Sequence, residues 1–380
     1  SYASNRDYVS AKGMTPQEAA DEDRMITQAE YGAEIEAETT EKDPSELQYI
    51  TPIDYAKRIA ELDEDLRDAA EILVTDCSCY TPFKAFLMDV VQSDFAFMPN
   101  KLDLIRDIAL GTDNAERKAY SNKGSYGKIL IIAGNETMSG AACFAAEAVL
   151  RMGAGLVKVL SDAGNRQILQ TRLPEILFGE RKDLEESLEW CDCILFGPGV
   201  GVSEEMKEML EMVLKKGKKP LVIDADGLNI ISRFNMKIEY PYGTIMTPHL
   251  MEAARLMSCD ITQIKEDLCQ SAQDLAEKYH CTAVLKDATT IVAREDDLVY
   301  INQSGNDGMA TGGSGDVLAG MITGLLGEGL SVHEAAVHGV YLHGLAGDHA
   351  KHDLGAYSMI ASDIIAHIKD VTGGNYEPVL

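Results

Sequence analysis

The stretch KILIIAG at 128–134 is a short, uninterrupted apolar run that ends in glycine. Five runs of the same kind follow: LVKVLS (156–161), CILFGPG (193–199), LVIDADGLN (221–229), GTIMTPH (243–249) and TAVLKDATT (282–290). None alternates apolar with polar positions, as a strand with one wet face would. Stretches with helical spacing separate them, beginning with SGAACFAAEAVLRMGAG at 139–155. Continuous apolar strands alternating with amphipathic helices predict an α/β fold, a doubly wound, mostly parallel sheet with helices on both faces. Ligands of such sheets bind at the carboxyl ends of the strands. The polar and glycine-rich pieces fall there: Gly134-Asn135, Gly197-Pro198-Gly199, Asp224-Ala225-Asp226, Thr247-Pro248-His249 and Lys286-Asp287.

The first hundred residues have a different texture. Of 32 glycines only Gly13 and Gly32 lie there, and 22 acidic against 8 basic residues give a net charge of −14, half of the total of −28. Thr15-Pro16-Gln17-Glu18 and Thr51-Pro52-Ile53-Asp54 carry helix-start signals. Ile53, Ile59, Leu62, Leu66, Ala70 and Leu73 then recur at roughly helical spacing. Residues 1–100 therefore read as an acidic, mainly helical accessory region without a catalytic constellation, and residues 101–380 as the α/β domain.

NDGMATGGSGDVLAG at 306–320 holds five glycines in fifteen positions. Val317, Leu318, Met321, Leu325 and Leu326 have helical spacing, so GGSG is the turn into a helix and Asp316 lies in its first turn. Free amides and the positive dipole end make such a start an anion site, and missing side chains let a phosphate reach the main chain. The same field is expected to hold Asp316 ionised. An ionised carboxylate beside phosphates can take the proton of a hydroxyl that attacks phosphorus. The cluster is neither a P-loop nor an early Rossmann fingerprint.

Hydrophobic residues make up 46% and charged residues 25% of the 380, as in globular proteins. The acidic balance speaks against nucleic-acid or membrane partners. No apolar run reaches the length of a membrane span. No charged-then-apolar signal opens the chain, and its start at Ser1 is that of a processed product or an excerpt. The eight cysteines lack zinc spacing and read as reduced core thiols of a cytoplasmic protein. Met206, Met209 and Met212 read as helix core and Met138 as packing; His338 and His343, five apart on one helix, read as structural.

The α/β part resembles the ribokinase-like superfamily, whose sites carry G-x-G-D at a helix start, and within it the NAD(P)H-hydrate dehydratase family. Ten pieces stand in the family's order: SNKGSYGKILIIAG, MSGAA, MGAGLV, FGPGVG, VIDADGLN, TPH, VLKDATTIV, NDGMATGGSGDVLAG, YLHGLAGD and YSMIASDII. The resemblance implies a hydro-lyase of cofactor repair. It phosphorylates the C6 hydroxyl of a hydrated nicotinamide from ADP or ATP, with Mg2+, and eliminates phosphate to return NAD(P)H. It implies Asp316 as the base, in contact with the hydrate. Lys286, Asp287, Ala288, Thr289, Thr290 and Gly315 fall on the nucleotide positions, and Ala141, Gly199 and His249 on the hydrate positions. Asn306 orders the loop or binds phosphate, and the amides of Gly313, Ser314 and Gly315 take charge from the transferring phosphoryl group. Asp224 and Asp226 order a loop or hold water and magnesium. The family favours ADP and tends to tetramers.

Two departures stand out. Leu250-Met251 replaces a Pro-Gly turn after His249, and Asp287 replaces a commoner glycine, adding negative charge that weakens phosphate binding or coordinates a cation. The epimerase domain of many relatives has no counterpart in residues 1–100. A superfamily kinase acting on a vitamin-precursor alcohol shares these pieces. A non-catalytic binder using the acidic region is the reading from another class, and the intact Asp316 and glycine loop argue against it.

Overall fold

The computed structural model describes residues 123–295 and 299–372. The helical accessory region expected over 1–100 lies outside them. Nine strands form one sheet in the order β3-β2-β1-β4-β5-β6-β7-β8-β9. They are β1 (Lys128–Ile132), β2 (Leu156–Ser161), β3 (Leu177–Glu180), β4 (Cys193–Phe196), β5 (Leu221–Ile223), β6 (Thr244–Met246), β7 (Thr282–Leu285), β8 (Ile291–Ala293) and β9 (Val299–Ile301). All pairings through β7 are parallel, and β7–β8 and β8–β9 are antiparallel. Three strands escape the sequence reading, because β3, β8 and β9 sit among charged neighbours, Arg181-Lys182-Asp183 after β3 and Arg294-Glu295-Asp296-Asp297 between β8 and β9. The sixth run also ends earlier than read: β7 stops at Leu285, and Lys286 opens the turn into β8.

The apolar runs bury both faces by alternation. Ile129, Ile131, Cys193, Leu195 and Val222 point into one core, and Leu130, Ile132, Ile194, Phe196, Leu221 and Ile223 into the other. The first core is covered by α1 (Ser139–Arg151), α2 (Asn165–Arg172) and, from the end of the chain, α9 (Ser314–Gly327), α10 (Val332–Leu354) and α11 (Ala361–Thr372). The second is covered by α3 (Leu184–Trp190), α4 (Glu204–Lys216), α5 (Asp226–Arg233), α6 (Leu250–Met257), α7 (Ile261–Glu266) and α8 (Leu268–Tyr279). Met206 and Met209 belong to that core, but Met212 is 36% exposed. At about 100° per residue, two steps of three carry it off the stripe that Leu210 and Val213 continue. Met138 is likewise exposed rather than packed. Cys143, Cys191, Cys193, Cys269 and Cys281 are buried thiols outside any disulfide. Among the described residues no helix is long and apolar enough to cross a membrane.

Helix α9 lies closest to α1. A side chain on Gly320 would run into the Ala145 carbonyl oxygen and sit 2.8 Å from Ala148 Cβ; one on Gly324 would sit 2.5 Å from Met152 Cβ. The absence of these side chains lets two helices of small residues nest and fixes where α9 begins. Gly320→Ala is expected to cost about 1–3 kcal/mol by overpacking. Gly140→Ala, on α1 with nothing within 4 Å, gains up to about 1 kcal/mol from helix propensity. Urea unfolding midpoints of the two variants should move in opposite directions.

Candidate active site

Residues ending β5, β6 and β7 meet the start of α9 at one rim of the sheet. Thr247 donates its hydroxyl to Asp224 Oδ1 at 2.7 Å, and Lys286 Nζ donates to the same oxygen at 2.8 Å. Asp224 is 1% exposed, so this is a buried ion pair. Main-chain pairing continues past the strands: Lys286 N–H donates to the Pro248 carbonyl at 2.8 Å, in a parallel bridge between His249 and Lys286. Between the two aspartates Ala225 holds φ 50°, ψ −117°, a conformation costly for a residue with a Cβ and one that recurs at functional sites. The turn sends Asp224 toward Lys286 and Asp226 toward the loop after β4, where its Oδ2 accepts the Gly201 N–H at 2.8 Å. Both aspartates therefore order loops.

Helix α9 opens with Gly313 at φ 95° as N-cap and Asp316 in its first turn. A Cβ on Gly315 would sit 3.3 Å from Lys286 Nζ, which places the ammonium directly over the glycine turn. The structure thus joins Lys286, Gly313, Gly315 and Asp316 in one place. Ser314 differs from expectation. Its amide is engaged by the Thr311 carbonyl at 3.3 Å, and its hydroxyl lies 3.4 Å from Nε2 of buried His343. Burial pushes that imidazole down to about 4, so it is neutral at pH 7. Gly313 and Gly315 remain as the amides for a phosphate.

The expectation that Asp316 is held ionised is overturned. Its carboxyl is pushed up to about 7, first by burial, then by Asp224, with Asp226 and Glu252 adding to the rise and Lys286 opposing it. The helix dipole acts as a fraction of a charge, and three carboxylates plus lost hydration outweigh it. Burial alone would lower Lys286, but Asp224, Glu252 and Asp316 reverse that and keep it firmly cationic. Glu252, absent from the sequence reading, is pushed up to about 7 by burial and then by Asp224.

His249 caps α6. Its Nδ1 accepts the N–H groups of Met251 and Glu252 at 3.1 and 3.3 Å, and Glu252 Oε2 accepts the His249 N–H at 3.0 Å. The spacing His249-x-x-Glu252 is a capping box with imidazole in the place of serine, a signal the sequence did contain. Leu250-Met251 in place of Pro-Gly is therefore accommodated: Leu250 is buried, Met251 is exposed, and the cap holds the ring. Burial, then Lys286 and Arg255, push the imidazole below its ordinary value. With Nδ1 accepting, Nε2 carries the proton and lies 3.5 Å from Glu252 Oε1.

The remaining expected residues separate into three groups. Gly199, after β4, faces Ala141 on the first turn of α1; a Cβ on Gly199 would lie 2.9 Å from that of Ala141. In the β7–β8 turn Asp287 and Ala288 are exposed, while Thr289 and Thr290 are half-buried. Asn306 serves the loop. Its Nδ2 donates to Asp348 Oδ1 at 2.8 Å, its Oδ1 accepts the Gly308 N–H at 3.0 Å, and Asp348 Oδ2 takes the Gly305 N–H at 3.0 Å. Among the described residues no group of three or more His, Cys, Asp or Glu is arranged for a metal. A Mg2+ at this rim would be held chiefly by phosphate oxygens and water, that ion's usual habit.

The raised carboxyl has a consequence for stability that is independent of any reaction. The folded state keeps a proton on Asp316 that the unfolded chain releases near pH 4, so this group's contribution falls as pH rises from about 4 to about 7. Asp316→Asn is expected to raise stability by roughly 1–3 kcal/mol at pH 8, with the gain vanishing near pH 4. Thermal midpoints of both proteins across that range measure it.

Comparison with known proteins agrees with this geometry. Residues 129–370 match the NAD(P)H-hydrate dehydratase family. The chain is 39% identical over 268 residues to the bifunctional NAD(P)H-hydrate repair enzyme Nnr of Escherichia coli, covering 69% of this chain and 51% of that protein. It is 37% identical over 238 residues to the ADP-dependent (S)-NAD(P)H-hydrate dehydratase of Enterococcus faecalis, covering 61% and 80%. The match thus spans about half the length of the bifunctional relatives. Among solved structures, the ADP/ATP-dependent NAD(P)H-hydrate dehydratase of Bacillus subtilis, co-crystallized with ATP/Mg2+, superposes with a TM-score of 0.62 at 28% identity, covering 67% of this chain and 92% of that one. A ribokinase-like superfamily protein of Enterococcus faecalis gives 0.63 at 32% identity, covering 69% and 94%. With its mostly parallel sheet, its glycine turn into α9 and a matched segment of more than half its length, this chain belongs to the NAD(P)H-hydrate dehydratase family.

Proposed function

We propose that this chain repairs hydrated NADH and NADPH, using ADP or ATP to turn the C6 hydroxyl into a leaving group. The observation that carries the reading is the meeting of Asp316, the Gly313–Gly315 turn and the Lys286 ammonium at the start of α9. The Asp316 carboxylate accepts the hydroxyl proton, and the freed oxygen attacks the terminal phosphorus of the nucleotide. Lys286 and the amides of Gly313 and Gly315 take up the charge that moves onto the phosphoryl oxygens. The C6–O bond then breaks toward phosphate, C5 gives up a proton, and the ring double bond returns. Ala141, Gly199 and His249 form the hydrate side. The Lys286–Thr290 turn forms the nucleotide side. ADP is the preferred donor in this reading, supported by the ADP-dependent relatives.

A carboxyl titrating near 7 suits a base that must be free at neutral pH and still strong. Turnover of the hydrate with ADP or ATP, followed as recovery of dihydronicotinamide absorbance, tests the reading. A kinase of a vitamin precursor would instead leave a stable phosphorylated product. Asp316→Asn is expected to lower repair by about 10²–10⁴-fold while nucleotide affinity persists, and near-normal turnover in that variant would refute the base assignment. For the unaltered protein, kcat/KM should fall about tenfold per unit below pH 7 as the carboxylate is lost.

We also propose residues 101–380 as the dehydratase unit and 1–100 as its accessory, supported by a family match confined to 129–370. Removal of residues 1–100 should then leave kcat and both KM values unchanged.

A further inference from the structure

A second ion pair, partly buried, stands away from Asp316, on the hydrate side of the site. Arg181 follows β3, the edge strand of the sheet, and its side chain is 16% exposed. Its Nη1 lies 3.2 Å from Asp162 Oδ1, just after β2. Its Nη2 donates to the Gly134 carbonyl at 3.2 Å, at the end of β1, and to the Val200 carbonyl at 3.5 Å, in the loop after β4. Glu205 approaches Nη1 at 3.9 Å from the solvent side. One guanidinium thus reaches past β2 and β1 to the loop that carries Gly199.

The partners it ties are the walls of the hydrate side. Asp162 Oδ2 accepts the Glu136 N–H at 2.9 Å, which holds the β1–α1 loop leading to Ala141. The Gly134 N–H donates to the Pro198 carbonyl at 2.7 Å, joining that loop to the one after β4. The neighbouring polar network is uncharged: Ser161 Oγ donates to the Gly134 carbonyl at 3.2 Å, and Asn165 Nδ2 to the Asn135 carbonyl at 3.0 Å. A planar fork places its donors on separate nitrogens in fixed directions, Nη1 to the carboxylate and Nη2 to the two carbonyls, whereas the donors of an ammonium radiate from one atom.

We propose that Arg181 is the positioning residue of the hydrate side, its guanidinium setting the gap between the β1–α1 loop and the β4–α4 loop and so the spacing of Ala141 and Gly199. The inference rests on the proposed repair reaction for its assay. It differs from that reading in naming a residue that touches neither the reacting atoms nor the nucleotide turn.

Arg181→Lys and Arg181→Ala in the full chain test it. Both should raise KM for the hydrate by about ten- to a hundredfold, the penalty of a misplaced substrate wall, with nucleotide affinity and KM for nucleotide unchanged. Free guanidinium ion should lower the hydrate KM of Arg181→Ala and leave that of the unaltered protein where it is. An unchanged hydrate KM in Arg181→Lys overturns the inference. So does a loss shared equally by hydrate and nucleotide together with a lowered thermal midpoint, which marks a merely structural residue. Should Arg181→Ala not fold, the Lys variant alone decides. An unaltered protein that fails to turn over hydrate refutes the proposed function instead.

Discussion

Everything at the site follows from how closely α9 can approach α1. A helix start binds an anion only where its free amides face the rim at which the strands end. To bring them there, α9 must lie deep against the sheet, and side chains on Gly320 and Gly324 would forbid it. The cluster from Gly308 to Gly320 therefore combines two demands. Gly313 and Gly315 leave the turn bare for a ligand, with the Lys286 ammonium over it, whereas Gly320 leaves room for α1. Glycine lowers helix stability in both places. The close packing it permits fixes the position of Asp316 to the precision that proton transfer needs.

That placement creates an electrostatic imbalance. Asp224, Glu252 and Asp316 surround one lysine, Asp226 adds its charge at Asp316, and two of the four carboxyls rise to about 7. A rim with this charge does not attract a polyphosphate by its side chains alone. Lys286 is already paired with Asp224 at 2.8 Å, so in the proposed reaction its ammonium shares the attraction with amide dipoles and whatever cation travels with the nucleotide. In return, the carboxylates that raise Asp316 make it a stronger base than a solvated aspartate. The energy that destabilises the ionised fold at pH 8 is the same energy that favours proton uptake from a hydroxyl.

Much of this was legible in the chain, for identifiable reasons. The β1, β2 and β4–β7 runs bury both faces, so their apolar continuity announces them, and the strand-end rule then collects Gly134, Gly199, Asp224, His249 and Lys286 on one rim. β3, β8 and β9 leave no such trace, because charged residues crowd their ends, Arg181-Lys182-Asp183 after β3 and Arg294-Glu295-Asp296-Asp297 between β8 and β9. The state of Asp316 is not legible locally: the helix dipole is a cue in the sequence, but the carboxylates that outweigh it come from β5 and α6 only on folding. Glu252 stands at the fourth position of a capping box, a signal masked by histidine, an unusual cap. Arg181 had no signal: its partners lie 19 to 47 residues away, and only the folded sheet brings them within reach.

The two ion pairs, one buried and one partly buried, divide the work. Such pairs contribute little net stability, because desolvation or screening offsets their attraction, so their place at a site calls for a geometric reason. Asp224–Lys286 fixes the ends of β5 and β7, with Thr247 bonding to the same carboxylate from the end of β6, and with them the nucleotide turn. Asp162–Arg181 fixes the ends of β1, β2 and β4, and with them the facing walls at Ala141 and Gly199. The halves join through Asp226, one turn from Asp224, which holds Gly201 in the loop that Arg181 also grips. In the proposed reaction a hydroxyl and a phosphate on separate halves would thereby be held in one frame. Reaction between them requires alignment within a fraction of an ångström, and a frame of charged, directional bonds supplies it where packing of small residues alone would not.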